Sequence, residues 1–301
     1  MLKHRIIPCL LLRNGVIVQS KGFKRHQVLG NPTTAVQRLS TWAADELIYL
    51  DISPNSIYDL NRDDLNHENH LSIIDIIKDV SSHAFMPLTF GGGIRDIDRI
   101  RTILNAGADK VTINTKAVLD PEFITESAKI FGSQCIVVSI DVAKNNKNIN
   151  EVKIERGKEW TGLSPVDWAC EVERLGAGEI LLNSIDRDGL QNGYDIELIQ
   201  DVVNAVSIPV ISIGGVGHWE DFKDALVKGG VSAVSAANIF HHTEHSTIVA
   251  KTHLLNAGID VRIDSEATYK DREFDESGRL IMLSESGLSK IKIQRGKKEL
   301  I

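Results

Sequence analysis

The stretch Ile208-Pro209-Val210-Ile211-Ser212-Ile213-Gly214-Gly215-Val216-Gly217 is an apolar run closed by glycines, and Met86-Pro87-Leu88-Thr89-Phe90-Gly91-Gly92-Gly93-Ile94 repeats the plan earlier in the chain. A strand that finishes in consecutive glycines lets backbone N–H groups approach an anionic oxygen, because no Cβ blocks the way and the turn can take positive φ. Two such sites point to a ligand with a phosphate at each end. Gly92, Gly93, Gly214 and Gly215 are the candidate phosphate-binding residues, joined by Asn238 at the end of the last strand, with the N-termini of the following helices expected to help.

Working outward from these runs, apolar segments of strand length recur at residues 5–11, 46–52, 86–90, 110–114, 135–141, 179–184, 208–213 and 233–237. Amphipathic stretches lie between most of them, among them 34–44, 97–107, 121–131, 165–176 and 196–205. Strand and helix in alternation signal βα units on a parallel sheet, and eight units in this length predict an α/β fold of the closed (β/α)8 TIM barrel type. The third strand corresponds to the seventh and the first to the fifth, so the barrel reads as a half-barrel written twice. An open doubly wound sheet is the competing architecture, and the first strand is not followed by the GxGxxG turn that such a sheet would use.

At 301 residues the chain is one large domain with an appendage: the barrel over residues 1–259 and a C-terminal extension over 260–301. The extension holds two short strand-like patterns, 279–283 and 290–294, and the basic run Arg295-Gly296-Lys297-Lys298. Residues 53–70, with His67 and His70, read as a long loop after the second strand, either solvated or a lid that touches substrate. The net charge of -7 argues against a general nucleic-acid binder. The three cysteines, Cys9, Cys135 and Cys170, form no CxxC pair and read as buried thiols. No metal site or cofactor is expected; His241, His242 and His245 read as surface histidines and Trp42, Trp168 and Trp219 as helix-face packing. The N-terminal apolar run is too short for a signal-peptide core or a membrane span, so the expected location is the cytoplasm.

Side chains at the C-terminal ends of barrel strands face the pocket, and acids predominate there: Asp51, Asp141, Asp186 and Asp188. Asp141 is the first candidate for general acid or base work and Asp188 the weaker second, against the alternative that these aspartates cap helices or turns. At the opposite ends stand Arg5, Glu46, Lys110 and Glu179, two cations and two anions positioned to pair as a ring across the barrel floor.

These segments resemble a known family. Arg5-Ile6-Ile7-Pro8-Cys9-Leu10, Asp45 to Ile52, Gly91-Gly92-Gly93-Ile94, Gly107 to Asn114, Phe131-Gly132-Ser133-Gln134 and the run from Gly176 to Gly189 follow, in order from residue 1 to about 263, the cyclase subunit of imidazole glycerol phosphate synthase, HisF. The resemblance implies a lyase-type step of histidine biosynthesis in which ammonia from a glutaminase subunit enters the barrel floor and meets a bis-phosphate ribulosyl substrate, PRFAR, at the top. The implied products are imidazole glycerol phosphate and aminoimidazole carboxamide ribotide. It further implies that Arg5, Glu46, Lys110 and Glu179 form the ammonia gate, that the glycine clusters hold the two phosphates, and that Asp109 lies at the interface with a HisH-like glutaminase in a heterodimer.

Three positions depart from the family pattern. The first of its two catalytic aspartates falls on Leu11, the lysine of the first loop on Gln19 with Lys21 two residues on, and a serine at the end of the seventh strand on Ile213. These features, with the run Pro8 to Gly15, resemble a divergent branch associated with amidation of surface-polysaccharide sugars, which implies an ammonia relay to a separate sugar amidotransferase. A non-catalytic activator of a glutaminase is the third reading.

Overall fold

The computed structural model describes residues 3–54, 72–263 and 281. The expected lid over 53–70 lies almost wholly outside these residues, as do the strand patterns and basic run of the extension. Within them the chain forms a closed parallel barrel. The strands are β1 (Arg5–Arg13), β2 (Val16–Lys21), β3 (Arg25–Gly30), β4 (Leu47–Asp51), β5 (Leu88–Gly91), β6 (Lys110–Ile113), β7 (Ile136–Lys144), β8 (Asn150–Ile154), β9 (Glu159–Trp160), β10 (Glu179–Ser184), β11 (Val210–Ile213) and β12 (Ala233–Ala236). The barrel runs β1-β4-β5-β6-β7-β10-β11-β12 and closes because β12 pairs with β1 in parallel, Arg5 opposite Ala233. The open-sheet alternative is thereby excluded.

Helices form at the amphipathic stretches, with ends set by their caps, and the first is shifted toward the N-terminus, to Pro32–Thr41. Asn31 caps Pro32–Thr41 and Ser164 caps Pro165–Arg174, each with proline in the first turn, where its missing N–H costs nothing. Asp96 caps Ile97–Asn105, and His218 with Asp221 forms a reciprocal capping box on Trp219–Val227. The apolar faces of these helices and the outward faces of the strands form one continuous core. Trp168 is buried in it, and Trp42 and Trp219 pack against it. The helix Ser246–Asn256 is pinned from inside: Lys251 Nζ lies 2.7 Å from Asp45 Oδ1, the lysine fully buried, while Asp45 Oδ2 accepts Ile6 N–H at 2.8 Å. Burial lowers the Lys251 pKa and raises that of Asp45, and their mutual attraction opposes both shifts.

Two antiparallel hairpins were not expected from the sequence. The first strand runs past residue 11 to Arg13 and continues into β2 and β3, with Leu11 opposite Val18; the fifth runs past 141 to Lys144 and continues into β8 and β9. They follow corresponding strands of the two half-barrels, which extends the repeat. The cysteine expectation is corrected in part: Cys9 is buried, Cys135 half-buried and Cys170 exposed on its helix. The surface reading of His241 is also corrected. It is only partly exposed, its Nε2 is buried without a partner, and burial lowers its pKa to about 4.

Candidate functional site

Register decides which side chains enter the lumen. Parallel partners share a face, so the pairings Cys9 with Ile48, Ile48 with Thr89, Thr89 with Lys110, Val137 with Glu179 and Leu181 with Ile211 trace one inward-facing set around the barrel. At the floor this set contains the four predicted charges. Arg5 Nη1 lies 2.7 Å from Glu46 Oε1 and 2.8 Å from Glu179 Oε1; Lys110 Nζ lies 3.1 Å from Glu46 Oε2 and 2.9 Å from Glu179 Oε2. Each carboxylate gives one oxygen to each cation, and the ring closes on itself with no charge left over. Burial alone would lower the Arg5 pKa, but the two glutamates outweigh it and the net shift is upward. Beside the ring, Asp109 is exposed at the floor, one carboxylate oxygen accepting Leu88 N–H at 2.8 Å.

Above the ring an aliphatic cluster fills the lumen. Ile7, Cys9 and Leu11 of β1 join Ile48, Val137, Leu181, Ile211 and Ile213, and Val18 of the hairpin packs into the same cluster. Leu11 and Ile213 are both buried in this cluster. Desolvation pushes the Cys9 thiol well up, with the charges of Asp188 and Asp141 adding to the shift.

Higher on β7 and β10 the lining turns polar. Asp141, on β7, is 9% exposed and receives donors from both neighbouring strands. Asn114 Nδ2, just past β6, donates to Asp141 Oδ2 at 3.1 Å, and Asn183 Nδ2, on β10, donates to Asp141 Oδ1 at 3.1 Å. Ser139 Oγ adds a longer contact to Oδ1 at 3.5 Å. Burial raises the Asp141 pKa to about 6; the donors from Asn183, Ser139 and Asn114 oppose it, and the charge of Asp188 adds to it. A carboxyl that titrates near neutrality can both take and return a proton.

The remaining acids make structural bonds. Asp186 Oδ2 accepts Lys144 N–H at 2.7 Å, and Asp51 Oδ1 accepts Ser53 N–H at 2.9 Å in an Asx turn. Asp188 holds the first hairpin: its Oδ2 accepts Ser20 Oγ–H at 2.8 Å and Phe23 N–H at 3.1 Å, and its backbone oxygen accepts Gly22 N–H at 2.9 Å. Asn238 holds the same hairpin, donating from Nδ2 to Ser20 O at 2.7 Å and accepting Ser20 N–H at 3.3 Å on Oδ1. Its amide is thus occupied by protein. Gln19 donates across the hairpin to Gln27 at 2.7 Å.

The glycine clusters are required by close backbone approach. Gly92 has φ +109° and a Cβ there would fall 2.2 Å from Asp51 O; Gly215 has φ +99° and its Cβ would fall 2.2 Å from Gly193 O. Gly93 (φ +64°) faces open space, whereas Gly214 (φ +104°) lies against Ser184 O and Asn183 Oδ1. Caps take part of the helix starts that follow the clusters: Asp96 accepts Arg99 N–H, His218 accepts Glu220 N–H, and Asp221 accepts Gly217 and His218 N–H. Turns on the neighbouring strands, Thr115–Leu119 beside the first cluster and Asn238–His241 beside the second, begin without a side-chain cap.

The chain is similar to known proteins over most of its length. Residues 5–246 match a family described as histidine biosynthesis protein. The chain is 44% identical over 279 residues to a putative imidazole glycerol phosphate synthase subunit hisF2 of Vibrio vulnificus (strain YJ016), covering 93% of this chain and 98% of the relative. It is 42% identical over 262 residues to the imidazole glycerol phosphate synthase subunit HisF of Alkaliphilus metalliredigens (strain QYMF), covering 87% of this chain and all of that protein.

Proposed function

This chain belongs to the histidine biosynthesis protein family, and from that premise we propose that it is the cyclase-type synthase subunit of a glutamine-dependent amidotransferase, a lyase fed with ammonia by a HisH-like glutaminase. The observation that carries the reading is a neutral ring of charges at one end of a barrel whose other end presents a single buried carboxyl near neutrality and two glycine clusters. The ring of Arg5, Glu46, Lys110 and Glu179 is the ammonia gate, and Asp109 beside it meets the glutaminase. Neutral ammonia tolerates the aliphatic lumen above the ring far better than ammonium does, because desolvating a charge there is costly. A route through the lumen thus keeps the nitrogen in its nucleophilic form.

At the top, Gly92 and Gly93 with the start of Thr115–Leu119 take one phosphate of the ribulosyl substrate, and Gly214 and Gly215 with the backbone at Asn238 take the other. When ammonia adds to a carbonyl carbon, the nitrogen must lose a proton and the oxygen must gain one. Asp141, half ionised near pH 6, is the group placed to move them. Asp188 is the weaker catalytic candidate because its carboxylate is committed to the hairpin. The test is to assay product formation with glutamine plus the glutaminase and, separately, with ammonium salts. A Lys110→Met variant that loses the glutamine-driven rate while keeping the ammonium-driven one supports the gate, and equal loss of both opposes it.

A second reading is favoured by Leu11 and Ile213, which place aliphatic groups where the family has an acid and a serine. In it the barrel keeps the gate and relays ammonia to a separate amidotransferase acting on a surface-polysaccharide sugar. Turnover of glutamine in the complex without consumption of PRFAR would favour it.

A further inference from the structure

Asn183 stands directly opposite Asp141 in the β10–β7 ladder, both side chains inward, and it is as buried as the carboxyl it touches. A buried amide in that place must put its N–H₂ toward the carboxylate, since its carbonyl there would set two acceptors face to face. Its carbonyl faces the glycine turn after β11, where a Cβ on Gly214 would fall 3.1 Å from Asn183 Oδ1. From the far side Asn114 Nδ2 holds the second carboxylate oxygen and is itself tied to Ser139 O at 3.1 Å. Groups from three adjacent strands thus hold the two oxygens of one carboxyl group.

We propose that Asn183 is a positioning residue for Asp141, fixing the orientation of its carboxylate and stabilising the ionised form so that Asp141 serves as the proton acceptor at the top of the barrel. This rests on the proposed function only in assigning the proton transfer to Asp141. Donation to a carboxylate favours its charged form, whereas burial disfavours it, and Asn183 supplies one of the two 3.1 Å amide contacts that offset the burial. Without Asn183 the carboxyl keeps its burial and loses a donor, so it holds its proton to higher pH.

The experiment is carbon-13 titration of the Asp carboxyls in the full chain, the Asp141 signal assigned by its disappearance in Asp141→Asn. The parent should titrate near pH 6. Asn183→Leu, of similar volume and without a donor, should move the midpoint upward by about one pH unit, and Asn183→Thr, which retains one hydroxyl donor, should restore part of the shift. Asn183→Ala carries the same expectation if the leucine variant fails to fold. An unmoved midpoint in a folded Leu or Ala variant overturns the proposal. The titration is read without substrate, so its failure is separate from failure of the proposed function, which would appear as turnover surviving in Asp141→Asn.

Discussion

Replacing Lys110 with methionine removes one member of the floor ring while keeping most of its volume. Lys110 Nζ bridges Glu46 at 3.1 Å and Glu179 at 2.9 Å, and after its loss both glutamates must share Arg5. The ring then passes from neutral to a net single negative charge, with side chains only 10% and 11% exposed at the two glutamates. Water reaches them too little to screen the imbalance as it would at an open surface. Breaking a buried pair by deleting one partner typically costs about 3–5 kcal/mol, and partial exposure here places the expectation at the lower end, about 3 kcal/mol. For a barrel of this size that is a fall in Tm of about 6–12 °C. Thermal melting at neutral pH measures it, and the double variant Lys110→Met with Glu179→Gln, which restores neutrality, should recover at least half. A single variant melting within about 1 °C of the parent, or a double variant losing the full sum of its singles, would refute the reasoning.

Asp141 gives a pH-dependent prediction. Its folded pKa is raised from 3.8 to about 6, so the folded state binds the proton more tightly than the unfolded one, and stability falls as pH rises between those values and stays lower above them. Asp141→Asn should therefore stabilise the chain above pH 7 by an amount approaching 3 kcal/mol, the equivalent of about two pKa units, and by little at pH 4; equal effects at both values would contradict this. Ser20→Ala removes one bond of Asp188 to the hairpin and should speed hydrogen exchange at Gly22 and Phe23, with amides of β7 unchanged. Gly92→Ala forces a Cβ against Asp51 O at a positive φ, and calorimetry should show weaker binding of a phosphate-bearing ligand together with a lower Tm; unaltered affinity and Tm would show that the turn can yield.

The barrel was legible because its strands are apolar runs separated by amphipathic helices, a pattern that parallel pairing demands. The hairpins were not. Arg25-His26-Gln27-Val28 carries little apolar alternation, and β2 is fixed by pairing to an extension of β1 and by packing of Val18 into the lumen. The ring was readable from charge at the starts of apolar strands, since a lone charge there needs a partner. Asp141 was readable from its position at a strand end. Its partner Asn183 is masked in the sequence by the two aspartates that follow it, although the inward positions of β10 run from Glu179 through Leu181 to Asn183. Asp188 carried the same strand-end signal as Asp141, and only its contact with Ser20, distant in sequence, shows where its carboxylate is spent.

The most direct test of the account is formation of imidazole glycerol phosphate from PRFAR and ammonium by the purified chain, measured beside Asp141→Asn. The account predicts turnover in the parent and its loss, by about 10²-fold or more, in the variant. Turnover in the parent that survives in Asp141→Asn would contradict it.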